Sequence, residues 1–169
     1  MNRIIIGNIV SLAAAALLAL SCWTKNPRRG FAYQIIENIV LAVSSAVFGS
    51  WSAVVSMLLA ALRMCIVLSG HYTRQTMILF CTALAILGGV CNTRGLMGLL
   101  PILATVEFAW ANYRFTEIKA IKWSICANLI LWDLYAFVIR DYASGITWLI
   151  TLIITLLSLY RLSHAAKTE

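Results

Sequence analysis

Seven long runs of apolar residues alternate with short polar segments along the whole chain. Such runs are typical of membrane-spanning helices, and glycine and proline fall mainly between them, where they indicate turns. Several runs are shorter than the roughly 20 residues usual for a span, so we expect interfacial side chains or neighbouring helices to cover their ends. The predicted helices cover residues 4–23, 33–48, 52–69, 76–90, 96–113, 123–139 and 146–162.

The polar residues inside these runs suggest an internal repeat. Asn38 in the second run and Asn128 in the sixth are each followed by a row of aliphatic residues, and hydroxyl residues punctuate both the third and the seventh. Two parallel copies separated by one odd helix would have the same orientation in a bilayer. The predicted fold class is therefore an all-α integral membrane protein of seven transmembrane helices. Its single membrane domain, residues 1–169, would contain two three-helix bundles at 4–70 and 96–162 and a linker helix at 76–90.

Composition agrees with a membrane protein. Hydrophobic residues form 62% of the chain and charged residues 11%, against about 45–50% and about 25% in soluble domains. The lipid bilayer is therefore the first expected partner. The net charge of +7 does not indicate nucleic acid binding, because the basic residues lie in short loops and form no contiguous patch.

The basic residues predict an orientation with the N-terminus outside and the C-terminus in the cytoplasm. In that arrangement Arg3, Arg94 and Arg140 lie outside and Arg63 is embedded. The cytoplasmic side then holds Lys25, Arg28, Arg29, Arg74, Arg114, Lys119, Lys122, Arg161 and Lys167. This bias also disfavours a cleaved signal peptide, whose positive flank would precede the first apolar run.

Two charged residues lie within the hairpin formed by the second and third runs. Glu37 and Arg63 are about equally far from the turn at Gly49-Ser50-Trp51, which in antiparallel helices places both at the same depth, roughly 20 Å below it. Intramembrane charges usually pair or line a polar cavity. We expect Glu37 and Arg63 either to flank a substrate path as a gate or to form an ion pair that fixes helix packing.

The sixth run contains the strongest candidates for a binding site. Asn128, Trp132 and Tyr135 share a helix face, and Asp133 is predicted near the middle of the membrane. An aspartate there can carry a proton, bind a cation or accept a hydrogen bond from a substrate. The expected substrate-binding residues are Asn128, Trp132, Asp133, Tyr135, Asn38 and Trp110.

Other patterns have simpler explanations. Glu107 shares a helix face with Trp110 and Arg114, so it is either a third member of the intramembrane ion-pair group or part of a capping pair at the interface. The threonines of the seventh run would support close helix packing and bond the preceding turn. Five scattered cysteines and two isolated histidines show no metal-ligand spacing. We expect no metal, no cofactor and no catalytic site, and therefore no enzyme.

Three segments resemble bacterial inner-membrane proteins of the YgjV type: GSWSAVVSMLLAALRMCIVL, GLLPILATVEFAWANYR and WDLYAFVIRDYASGITW. The resemblance covers most of the chain, and an amide is usual in that family where Asp133 stands. The family in turn resembles the SWEET and PnuC transporters, which implies alternating access or facilitated diffusion of a small polar metabolite. The PQ dipeptide and the hinge prolines of those relatives are missing.

Two functions follow as hypotheses. The first is a transporter or permease for an unidentified small polar ligand, with the site between the two bundles. The second is a non-transporting scaffold or regulatory subunit, in which the polar residues only support helix packing. A homo-oligomer is compatible with both.

Overall fold

The computed structural model describes residues 2–24 and 27–165, and this part of the chain is helical, with no strand. Short connections join seven α-helices, and a 3₁₀ segment, Gly95–Leu99, leads directly into the fifth. The helices are α1 (Asn2–Trp23), α2 (Pro27–Val47), α3 (Trp51–Leu68), α4 (Arg74–Val90), α5 (Leu100–Arg114), α6 (Ile118–Ile139) and α7 (Tyr142–Ala165).

Six of the helical segments are long and apolar enough to cross a membrane, and α4 is a shorter apolar helix. Large aliphatic side chains are exposed along the outer surface, for example Leu79 and Val90, as expected for a surface in contact with lipid. The described residues thus contain seven apolar helices, the predicted number, and six of the seven lie in segments long enough to span a membrane. Lys25 and Lys167, two of the basic residues used to predict the orientation, lie outside the described residues.

Three helices begin four to six residues earlier than predicted. Pro27 opens α2 instead of ending a loop, because proline has no N–H to lose in the first turn of a helix. Helix α6 begins at Ile118 and α7 at Tyr142. Asp141 precedes α7, and its Oδ1 accepts the backbone N–H of Ser144 at 3.2 Å, an N-cap that allows the helix to start there.

Six helices form a closed ring. Around it, α1 packs on α2, α2 on α3, α3 on α5, α5 on α6, α6 on α7 and α7 on α1. Helix α4 lies outside this ring against α3 and α5, where Phe80, Leu84, Ile102 and Ala109 form an apolar cluster. The interior of the ring is therefore enclosed by helices from both halves of the chain.

The ring has two ends, named here by one residue of each. The Tyr72 end carries the connections at residues 69–73 and 115–117, and the Asp141 end carries those at 48–50, 91–94 and 140–141. The tight turn between α2 and α3 depends on Gly49, whose φ of 72° lies in the left-handed region. Near the Asp141 end the interior is filled by a core that includes Phe48, Trp132 and Tyr135.

Candidate functional site

A polar cavity lies inside the ring. It has a volume of about 140 Å³ and is lined by side chains from α2, α3, α5, α6 and the start of α7. We call it the central cavity. Its polar lining comprises Glu37, Asn38, Arg63, Thr105 and Asn128, and its aromatic lining comprises Phe108, Trp132 and Trp148.

Two further cavities share lining residues with the central one. A cavity of about 220 Å³ shares Arg63, Met64 and Phe108 with it and reaches Tyr72. A cavity of about 10 Å³ shares Glu37 and Trp148 with it and reaches Ser11 and Ser144. The three cavities thus follow one line, which we call the axial path, wide at the Tyr72 end and nearly closed near the Asp141 end.

Arg63 lies where the wide cavity meets the central one. Its side chain is only 4% exposed, and the guanidinium lies 5.1 Å from the centre of the Phe108 ring, a distance at which a cation–π attraction is significant. Its Nε has no hydrogen-bond partner in the described chain. Burial raises the pKa of the nearby Tyr72 phenol, and the Arg63 cation acts in the opposite direction.

Glu37 lies where the central cavity meets the narrow one. Its side chain is 7% exposed, and within residues 2–24 and 27–165 it forms neither a hydrogen bond nor an ion pair. Glu37 and Arg63 therefore line one cavity, as their equal depth from the turn suggests, without forming a salt bridge with each other in the described structure. Arg63 instead packs on Phe108 of α5.

The two asparagines lie on different walls of the central cavity. Asn38 donates its Nδ2 hydrogen to the carbonyl of Gln34 at 2.8 Å, and Asn128 donates to the carbonyl of Ala104 at 2.7 Å. Because each amide nitrogen is held by a backbone acceptor, the orientation of each carboxamide is defined. The Oδ1 atoms remain as hydrogen-bond acceptors.

A hydrogen-bonded cluster closes the Asp141 end. Ser11 Oγ lies 2.7 Å from Ser44 Oγ and donates to Asp141 Oδ2 at 2.8 Å, and Ser44 donates to the Gly7 carbonyl at 3.0 Å. We call these groups the serine–aspartate seal. Burial raises the pKa of the Asp141 carboxyl, and hydrogen bonds from Ser11 and Ser144 oppose that shift.

Further contacts tie the connections together at the same end. Ser50 and Tyr135 share a hydrogen bond between their hydroxyl groups, and Arg94 donates to the Phe48 carbonyl. Thr93 donates to the carbonyl of Gly49 at 2.9 Å. These bonds join the α2–α3 turn to α6 and to the segment before α5, so both halves of the chain participate in the closure.

The structure brings some of the predicted binding residues to the cavity and not others. Asn38, Asn128 and Trp132 line it, together with the predicted gate residues Glu37 and Arg63. Tyr135 is 1% exposed and belongs to the closed end; it packs edge-to-face on Trp132 with ring centres 6.2 Å apart. Trp132 therefore separates the cavity from the residues that close the Asp141 end.

The other three predicted residues lie elsewhere. Asp133 is buried, does not line the central cavity, and has no hydrogen-bond partner for Oδ1 among the described residues. Glu107 accepts a hydrogen bond from Ser124 of α6 at 2.7 Å. Trp110 is 48% exposed and lies edge-to-face against Phe115, with ring centres 5.5 Å apart.

Sequence reasoning did not identify Phe108, Trp148, Ser11 or Asp141 as parts of this site. Trp148 falls near the start of a helix, a position typical of tryptophans at the membrane interface, yet its ring lies 5.4 Å from that of Trp132. Asp141 did carry a signal, since an acidic residue immediately before an apolar run is a good helix N-cap. In the described part of the chain, no three His, Cys, Asp or Glu side chains are grouped to hold a metal ion.

The ring of apolar helices around a polar interior defines a multi-pass helical membrane protein. A family model described as bacterial inner membrane protein, Imp-YgjV, matches residues 5–166. The chain belongs to this family. No curated protein and no solved structure matches it.

Proposed function

We propose that the protein is a permease that moves a small polar metabolite across the bacterial inner membrane along the axial path. The observation that carries this proposal is a series of three cavities, in which Arg63 lines the wide and central cavities and Glu37 lines the central and narrow ones. Polar side chains inside a membrane are expensive, and they often mark substrate pathways. A path that is wide toward one end and nearly closed toward the other fits a protein that works by alternating access.

The moving parts in this proposal are two three-helix units, α1–α3 and α5–α7, with α4 as a linker. If the two units are copies of each other, α1 corresponds to α5 and α3 corresponds to α7. The contact of α1 with α7 should then recur as a contact of α5 with α3, and both contacts are present. Asn38 and Asn128 line the cavity from the middle helix of each unit. Both features support a repeat about a pseudo-two-fold axis, and rocking of one unit against the other would open the Asp141 end.

We propose that the Tyr72 end faces the cytoplasm. Among the described residues, most lysines and arginines lie near helix termini at this end, and such residues are enriched on the cytoplasmic side of inner-membrane proteins. The N-terminus and the serine–aspartate seal would then face the outside. In this orientation the wider end of the axial path would face the cytoplasm.

The first experiment is a thermal-shift screen of the purified protein against metabolite pools, followed by uptake of each stabilising compound into proteoliposomes. A ligand that binds only the folded state raises the unfolding temperature. Stabilisation together with protein-dependent uptake is the expected result. If no pool stabilises the protein, the polar residues serve helix packing, and the scaffold hypothesis replaces the permease.

A matched pair of variants tests where the compound binds. Asn38 and Thr155 each bond the carbonyl four residues earlier in their own helix at 2.8 Å, but only Asn38 lines the central cavity. Asn38→Ala should weaken binding about tenfold or more, equal to about 1.4 kcal/mol, while Thr155→Val should bind normally. Equal affinities of the two variants would place the binding site outside the central cavity.

A further inference from the structure

We propose that the solute of the axial path is a small zwitterion, with an ammonium group that binds at Glu37 and a carboxylate that binds at Arg63. This inference rests on the proposed permease function and names its substrate class. The underlying observation is that a carboxyl group and a guanidinium group, on side chains that are both more than nine-tenths buried, line one cavity without forming an ion pair with each other in the described structure.

Each of these charges needs a counter-charge. Removing a carboxylate or a guanidinium from water is costly in a low-dielectric interior unless an opposite charge and hydrogen bonds replace the lost hydration. Arg63 has the Phe108 ring on one side and a free Nε, and Glu37 forms no bond to the rest of the described chain. A ligand that supplies both missing charges satisfies both groups at once.

The neutral polar groups of the cavity favour the same polarity. Asn38 and Asn128 each use one N–H to bond a backbone carbonyl, and Thr105 donates its hydroxyl hydrogen to the Pro101 carbonyl at 2.8 Å. All three keep an oxygen lone pair and act as acceptors toward a ligand. The cavity thus offers acceptors for an ammonium group and, at Arg63, a guanidinium fork for a carboxylate.

Aromatic rings strengthen the cationic end. Trp148 lines both the central and the narrow cavity, as Glu37 does, and Trp132 lies beside it. An ammonium group is attracted to the face of an indole ring. The cation site therefore lies beside the narrow cavity, and the anion site beside the cavity that reaches Tyr72.

Other solute classes leave a buried charge unmatched. A simple amine would leave Arg63 without an anion, a simple carboxylate would leave Glu37 without a cation, and a neutral sugar would leave both. Each such solute should bind more weakly than a zwitterion, because a buried polar group that loses water without gaining a partner costs binding free energy.

The test uses the wild-type protein in detergent and a set of synthetic probes. Calorimetry would measure binding of ω-amino acids, from glycine through β-alanine to γ-aminobutyrate, and of the amine and carboxylate of matching length. We expect at least one zwitterion to bind at least tenfold more tightly than both of its singly charged counterparts. Tighter binding of any amine or any carboxylate, or binding of no zwitterion in the series, would overturn the inference.

Variants of Glu37 and Arg63 test which residue binds the ammonium group and which binds the carboxylate. The control is Glu117→Gln, at an exposed carboxylate that does not line the path. Glu37→Gln and Arg63→Gln should each weaken zwitterion binding at least tenfold, and Glu37→Gln should leave carboxylate binding unchanged. If Glu37→Gln binds the zwitterion as well as Glu117→Gln does, the cation site is wrongly assigned. Should a variant fail to fold, the wild-type series decides the question alone.

Uptake of the same probes into proteoliposomes separates this inference from the permease proposal. Zwitterion binding without uptake would support the ligand class and contradict the permease. Selective binding and uptake of a sugar or another uncharged metabolite would support the permease and overturn the zwitterion.

Discussion

Replacing Asp141 by asparagine should stabilise the protein at neutral pH. The serine–aspartate seal has three oxygen–oxygen contacts: Ser11 with Asp141, Ser11 with Ser44, and Ser44 with the Gly7 carbonyl. When Asp141 is ionised, only the two serine hydroxyl hydrogens are present to fill them. One contact therefore has no hydrogen. An asparagine at position 141 supplies the third from its amide nitrogen and still accepts the Ser144 N–H through its oxygen.

The size of the effect follows from one completed hydrogen bond. Such a bond contributes about 1 kcal/mol net, which in a protein of this length raises the unfolding temperature by roughly 2–4 °C. Asp141→Ala should act in the opposite direction. It removes the N-cap of α7, which costs about 1 kcal/mol, while Ser11 can still donate its hydrogen to Ser44.

The same proton count predicts a pH dependence. The pKa of Asp141 is raised in the folded protein, so the folded state holds the proton more tightly than the unfolded state does. The resulting stability is fully present below the ordinary carboxyl pKa and is lost as the pH rises through the raised one. Asp141→Asn should lack this component of the pH dependence.

Tryptophan fluorescence during heating of the detergent-solubilised protein, from acidic to neutral pH, measures both effects. The expected order at neutral pH is Asp141→Asn above wild type above Asp141→Ala. If Asp141→Asn melts as low as Asp141→Ala at neutral pH, the hydrogen count of the seal is wrong.

Two further predictions concern packing. A Cβ on Gly88 would lie 2.8 Å from a side chain of α5, whereas a Cβ on Gly89 meets nothing within 4 Å. Gly88→Ala should therefore lower the unfolding temperature by the equivalent of about 1 kcal/mol or more. If Gly88→Ala and the control Gly89→Ala unfold at the same temperature, α4 and α5 do not approach as closely as described. Tyr135→Phe removes the partner of the buried Ser50 hydroxyl and should cost about 1–3 kcal/mol in thermal unfolding. The exposed Tyr142→Phe is its control, and equal melting of the two would refute the closure assigned to Tyr135.

Much of the helical framework is predictable from the sequence, because long apolar runs leave few alternatives to helices in a membrane. The helix starts are less so. Pro27 is compatible with both a loop and a first helical turn. The segment after Arg140 is equally compatible with a loop, and α7 starts there because Asp141 caps it. The closed ring depends on how distant helices pack, which no local pattern encodes.

The site was predicted in part for a similar reason. Counting residues from the turn placed Glu37 and Arg63 at one depth, and both line the central cavity. Their lack of a mutual salt bridge depends on Phe108 of α5, whose position against Arg63 is a tertiary contact. Asp133 and Trp132 are adjacent in α6, whose faces are all largely apolar, so the sequence does not indicate which of the two faces the cavity.

The central claim is that the cavity between the two halves of the chain is a solute pathway open at the Tyr72 end. The most direct test is the labelling rate of Asn128→Cys, in a background without the five native cysteines, by a membrane-impermeant thiol reagent. The rate would be compared between inside-out vesicles and right-side-out spheroplasts. We predict labelling at least tenfold faster from the cytoplasmic side. No labelling from either side would show that the cavity is sealed and would contradict a solute pathway.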